Sequence, residues 1–154
     1  MIRIQTKDFD AGAEIKNLVS GKGNIGGVCS FIGLVRDFSA SEQSGEKITA
    51  MTLEHYPAMT EKQLEKIETQ AQERWGSIET LIIHRVGRLE PTAQIVLVAV
   101  AAAHRDVAFE AARFIMDILK TEAPFWKKEE GPTTSKWVEA KASDIAKAGL
   151  WEKK

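Results

Sequence analysis

Three basic groups in this sequence stand at the ends of apolar segments rather than on solvated faces. Arg36 closes the run 28–35, His104-Arg105 follows the run 95–103, and Lys120 and Lys127-Lys128 flank Pro124. An arginine fork matches a carboxylate or phosphate through two parallel hydrogen bonds. His104-Arg105, at a strand-to-helix junction, has the free N–H groups and partial positive charge of a helix N-terminus beside it, a plausible anion site. The same pair also reads as an ordinary helix start. Lys120 falls in the last turn of a helix, where the dipole favours a cation in any case. If it faces Arg36, Arg105 and Lys127, like charges would lower its pKa and suit it to proton transfer or nucleophilic work. Alternation along Phe125-Trp126-Lys127-Lys128-Glu129 aims Lys127 and Glu129 to one side and Lys128 to the other. Together these cues point to an anionic small molecule, and no further.

Elements must position those groups. Residues 2–5 alternate Ile, Arg, Ile, Gln and predict a strand; a short helix is predicted at about 11–19, with Ala13, Ile15, Leu18 and Val19 as its apolar members. Glycines at 21–27 break regular structure. Residues 28–35, apolar on both faces apart from Ser30, predict a buried strand, and 48–56 a second strand paired with it. The intervening 38–47, rich in Ser, Glu and Gly, predicts a mobile loop. Thr60-Glu61-Lys62-Gln63 has the pattern of a capping box, with Met59 and Leu64 at staple spacing. Leu64, Ile67, Ala71 and Trp75 then form one apolar face ending at Gly76.

Residues 80–86 predict a strand, 87–94 a connection and 95–103 a central strand. A long helix follows to about 122, with Ala108, Ala112, Ile115 and Leu119 as its buried stripe, Phe109 and Met116 flanking it, and Pro124 ending it. Residues 125–130 and 136–140 predict a strand pair around Gly131-Pro132, and 143–151 a last short helix. The short connections suit antiparallel pairing. The expected fold is α+β: a mixed, mostly antiparallel sheet packed with helices, one compact domain over 1–154 with a small β-hairpin subregion.

With 44% hydrophobic and 28% charged residues, the composition is that of an ordinary globular chain rather than a disordered one. A formal net charge of -1 argues against a general grip on nucleic acid, so any basic site must be local. There is no apolar signal core, and no apolar run nears the roughly 18 residues that cross a bilayer, so the cytoplasm is expected. The single cysteine, Cys29, rules out an intrachain disulfide and sits in an apolar strand without a nearby His or Cys, which favours a structural role over a persulfide. His55 and His84 lack metal-ligand spacing, and 21–27 lacks the Gly-Lys-Ser/Thr ending of a phosphate loop. Neither a metal nor a cofactor is expected.

Five strings occur in order: Leu53-Glu54-His55-Tyr56-Pro57; Ala103-His104-Arg105; Phe114-Ile115-Met116-Asp117 with Leu119-Lys120-Thr121; Ala123-Pro124-Phe125-Trp126-Lys127-Lys128-Glu129; and Trp137-Val138-Glu139-Ala140. Each is weak alone; as an ordered set they resemble the large, catalytic subunit of molybdopterin synthase, from about Gly27 to the end of the hairpin. The resemblance implies a sulfurtransferase. A cyclic pyranopterin monophosphate would accept two sulfurs, one at a time, from the C-terminal Gly-Gly thiocarboxylate of a small ubiquitin-like carrier subunit. It further implies a homodimer carrying two carriers, a heterotetramer.

By the same resemblance, substrate-binding positions fall on Leu34, Val35, Arg36, His104, Arg105, Lys120, Lys127, Lys128 and Glu129, with Lys120 the principal catalytic lysine and Lys127 its neighbour. Leu34 departs from relatives that carry Lys there, so its contact must be apolar or through its backbone. The ending Trp151-Glu152-Lys153-Lys154 resembles the acceptor's catalyst rather than the Gly-Gly donor. Two readings from other classes stand beside this one. A regulatory domain binding a phosphorylated metabolite would use the same arginines without needing Lys120 at the reacting atoms, and an adaptor would only dock the carrier.

Overall fold

The computed structural model describes residues 1–38, 47–138 and 142–151. In chain order the elements are β1 (Ile2–Gln5), α1 (Ala11–Val19), β2 (Gly27–Leu34), β3 (Ala50–His55), α2 (Pro57–Trp75), β4 (Glu79–Arg85), β5 (Gly87–Leu89), β6 (Gln94–Ala102), α3 (Arg105–Glu122), β7 (Phe125–Glu130), β8 (Ser135–Val138) and α4 (Ala142–Gly149). The α+β class holds, but the strands divide between two four-stranded sheets, ordered β1-β4-β6-β2 and β5-β3-β7-β8. Among the described strands only the β1–β4 pair is parallel.

The first sheet carries the core. On one face Ile82, Val98 and Val100 meet Leu64 and Ile67 of α2 and Phe114 and Ile115 of α3. On the other, Leu81, Ile83 and Leu97 meet Leu18 of α1 and Phe9. Covered on both sides, β4 and β6 read as continuous apolar runs rather than alternating ones. Each such Leu, Ile or Phe contributes roughly 1.5–3 kcal/mol by leaving water. Met51 and Leu53 of the second sheet pack with Val35 and Leu89 in a smaller cluster. The aromatic stack His55–Phe125–His84 ties the two sheets together, with ring centroids 6.2 and 3.7 Å apart.

Several expectations are corrected. The strand expected at 48–56 does not pair with β2; β3 pairs with β5 and β7, while β2 pairs along its length with β6. β2 is therefore an edge strand and not a buried one: Val28, Phe31, Ile32 and Leu34 are all substantially exposed. Helix α2 starts at Pro57 rather than after Thr60, because proline at the first helical position has its φ preset and gives up an N–H that would be unpaired anyway. Thr60 is instead buried in the helix, its hydroxyl donating to the Pro124 carbonyl at 3.2 Å, and Met59 is exposed, so the staple does not form. The expected connection 87–94 contains β5, and Phe109 lies exposed rather than flanking the buried stripe of α3. The loop expected at 38–47 lies outside the described residues except at its ends, where Phe38 and Lys47 form an isolated antiparallel bridge. No helix among the described residues is long and apolar enough to cross a membrane.

Candidate functional site

Two backbone features set the geometry around β2. At its start, a Cβ on Gly26 would lie 2.2 Å from the Ala103 carbonyl oxygen, so only glycine lets this turn pack against the chain entering α3. At its end, the register with β6 shifts between Gly33 and Leu34. Such a bulge bends a strand and re-aims the side chains beyond it. Here those side chains are Leu34 and Arg36, and both line a cavity of about 720 Å³.

The cavity lies where the end of β2, the last turn of α3, β7 and α4 come together. Lys120 reaches it because the stripe Ala108, Ala112, Ile115, Leu119 is buried, which turns the next position of the last turn toward the opening. The extended Ala123 cap and Pro124 then redirect the chain into β7. Strand alternation brings Phe125, Lys127 and Glu129 to the cavity side. Lys128 goes to the other, its ammonium 5.8 Å from the Trp137 ring centroid.

Four cations, Arg36, Lys120, Lys127 and Lys147, meet two carboxylates, Glu129 and Asp144, in this lining. The excess of positive charge suits a phosphate, and Phe31, Met116 and Leu119 supply apolar wall for a ring. The Lys120 ammonium is 3.9 Å from Asp144 of α4, and the Arg36 guanidinium lies 5.4 Å from the Phe38 ring centroid. Burial pushes the Lys127 pKa down; the positive charges of Lys120 and Arg36 push the same way, against Asp144 and Glu129. A lysine so placed gives up its proton more readily than one in water.

The remaining expected residues are elsewhere. Val35 is buried in the small cluster of the second sheet, its N–H donating to Ala93 and its carbonyl accepting from Thr92. His104 and Arg105 are exposed at the start of α3, Arg105 beside Asp106 at 3.7 Å. At ~1.5 Å per residue, Arg105 stands roughly 20 Å along the axis from Lys120. The structure thus brings Leu34, Arg36, Lys120, Lys127 and Glu129 together, and leaves Val35, Lys128, His104 and Arg105 off the cavity.

Sequence reading missed His84, Asp144 and Lys147, which also line it. Asp144 and Lys147 carry no local signal, since a short polar helix resembles any solvated one. His84 does carry one: it is the polar residue that ends the apolar run Leu81-Ile82-Ile83 inside a strand. Cys29 is half-buried against the first-sheet core, its thiol pKa raised by burial, as a structural cysteine should be. Among the described residues, no group of three or more His, Cys, Asp and Glu is placed to hold a metal ion.

The profile of the MoaE protein family matches residues 4–122. A molybdopterin synthase catalytic subunit from Ralstonia nicotianae is 53% identical over 150 residues, covering 97% of this chain and 83% of that one. The molybdopterin biosynthesis MoaE protein from Burkholderia ambifaria superposes with a TM-score of 0.83 at 50% identity, covering 99% of this chain and 97% of the other. A molybdopterin synthase structure from Staphylococcus aureus gives 0.80 at 30% identity, with 89% and 96% covered. Family profile, near full-length relatives and fold agree: this chain belongs to the MoaE family of molybdopterin synthase catalytic subunits.

Proposed function

We propose that this chain transfers sulfur from the thiocarboxylated C-terminus of a small ubiquitin-like carrier subunit to a cyclic pyranopterin monophosphate, twice per molecule, to make molybdopterin. The observation that carries this reading is the cavity's composition, four cations against two carboxylates beside apolar walls, in a member of this family. Arg36 and a lysine neutralise the phosphate. Lys127, its ammonium disfavoured by burial and by Lys120, positions the substrate and stabilises charge as thiolate replaces oxygen. Lys120 stands at the reacting atoms as the principal catalytic lysine, and Glu129 holds the charge balance. Leu34 gives an apolar contact at the mouth, where the carrier's extended Gly-Gly tail enters.

His104 and Arg105 join this site from a second copy. Among the described residues β2 is a sheet edge with exposed apolar side chains, the kind of edge that natural proteins cover or blunt. Its first residue pairs with Ala102, near His104-Arg105, and its last with Gln94, near the cavity. Two copies joined antiparallel along β2 about a two-fold axis lay the His104-Arg105 end of each over the cavity of the other. With one carrier per cavity the assembly is a heterotetramer.

The test is to mix the protein with thiocarboxylated carrier and pyranopterin monophosphate, assay molybdopterin, and sediment the mixture. Molybdopterin from a heterotetramer is expected. Pterin binding without turnover would instead identify a regulatory domain, and carrier binding without pterin binding an adaptor.

A further inference from the structure

His84 is the most deeply buried ionisable group on the cavity, 3% exposed. Its ring is fixed twice. Phe125 lies flat against it, 3.7 Å between centroids at an interplanar angle of 11°. Nδ1 is 2.8 Å from the Arg85 carbonyl oxygen, which only accepts, so Nδ1 carries the hydrogen and donates it. Burial pushes the ring's pKa down to about 4 against the opposing pull of the Arg85 hydrogen bond, with Lys127 and His55 adding to the lowering. At neutral pH the imidazole is therefore uncharged, and Nε2 is a bare lone pair.

That lone pair has no partner among the described residues, the Arg85 contact being the ring's one hydrogen bond. Nor is it sealed: among the described residues, the one side-chain nitrogen or oxygen that is both fully enclosed and unpartnered is Arg3 Nε. Nε2 therefore keeps some access, and the open space that His84 borders is the cavity. An acceptor held rigid and left open on one side is complementary to a donor brought by the ligand.

We propose that His84 is a specificity-determining residue of this site, its Nε2 accepting a hydrogen bond from a ring N–H of the pterin while the cations take the phosphate. The assignment rests on the cavity being the pterin site. It divides recognition into two parts. The cations bind any compact phosphate, whereas His84 selects a heterocycle whose edge presents a donor to it. A rigid acceptor rejects analogues that turn a lone pair toward it, because two acceptors are then left facing each other.

Three variants test this. His84→Gln keeps an acceptor oxygen near the position of Nε2; His84→Asn reaches only as far as Nδ1; His84→Phe keeps the stack on Phe125 and has no acceptor. Steady-state turnover with thiocarboxylated carrier should show KM for the pterin raised about tenfold in the Asn and Phe variants, the size of one neutral hydrogen bond, with kcat within about twofold. The Gln variant should stay close to the parent. Equal KM values in Gln and Asn variants overturn the proposal, and that pair decides it even if the Phe variant fails to fold. Arg36→Ala and Lys127→Ala run in parallel separate the two levels. If they lose activity while all His84 variants keep the parent KM, the His84 assignment alone is wrong; if neither loses activity, the cavity is not the pterin site.

Discussion

The two ends of α3 carry the same kinds of residue and end in opposite circumstances. At its C-terminal end Lys120 faces a cavity with Arg36, Lys127, Glu129 and Asp144 around it. At its N-terminal end His104 and Arg105 stand on open surface, with Asp106 the nearest counter-charge. What differs is the backbone that returns to each end. β7 and α4 come back over the first, whereas the second lies beside β2, an edge strand of its sheet. A cation alone in water is worth little; the same cation among partners in a walled space is a site. One end is walled by the chain itself, and the other stands open.

The largest expected effect is at the walled end. Lys120→Ala should lower kcat by about a hundredfold or more, with fold and carrier binding kept, as loss of a group acting on the transferred proton does. Near-parental turnover of the purified variant would remove Lys120 from the chemistry. The next effect tests the open end. Arg105→Ala should be inactive alone, yet mixing it with Lys120→Ala and allowing subunits to exchange should restore about a quarter of parental activity, because half the dimers then hold one intact pocket of two. Confirmed exchange with no recovery would mean each chain builds its site alone.

Smaller effects sharpen the contrast within one strand. Lys127→Ala should cost about tenfold in kcat through lost positioning and charge stabilisation, while its neighbour Lys128→Ala should change turnover by less than about twofold, since its ammonium sits over Trp137 on the other side. Equal losses would show that strand alternation does not sort the two. The last effect is read as stability rather than as activity. His84 has a pKa of about 4 in the folded chain against 6.5 as the ordinary value. The unfolded chain therefore takes up the proton first, and the contribution is full above the ordinary value and lost as pH falls toward the folded one. Denaturant unfolding followed across that window should show a decline, up to about 3 kcal/mol, that His84→Gln flattens; parallel curves would mean the ring is not held neutral.

Local pattern carried most of the element list. Apolar periodicity placed α1, α3, β4 and β6, and Pro124 placed the break before β7, because a proline's missing N–H and a helix's buried stripe act through neighbours in the chain. The same alternation that separates Lys127 from Lys128 was readable from the residues alone. Pairing was not. β3 and β2 look alike as apolar runs, and only long-range contacts send one to each sheet. The site shows the same division. Arg36, Lys120 and Lys127 were visible because charges at the ends of apolar segments are unusual, and ordered motifs named the family. Which of them meet was decided by the bulge after Gly33, the return of α4 and the stack of Phe125 on His84. A sequence states what each residue can do, while burial and proximity, which fix pKa and partner, exist only once distant segments have packed together.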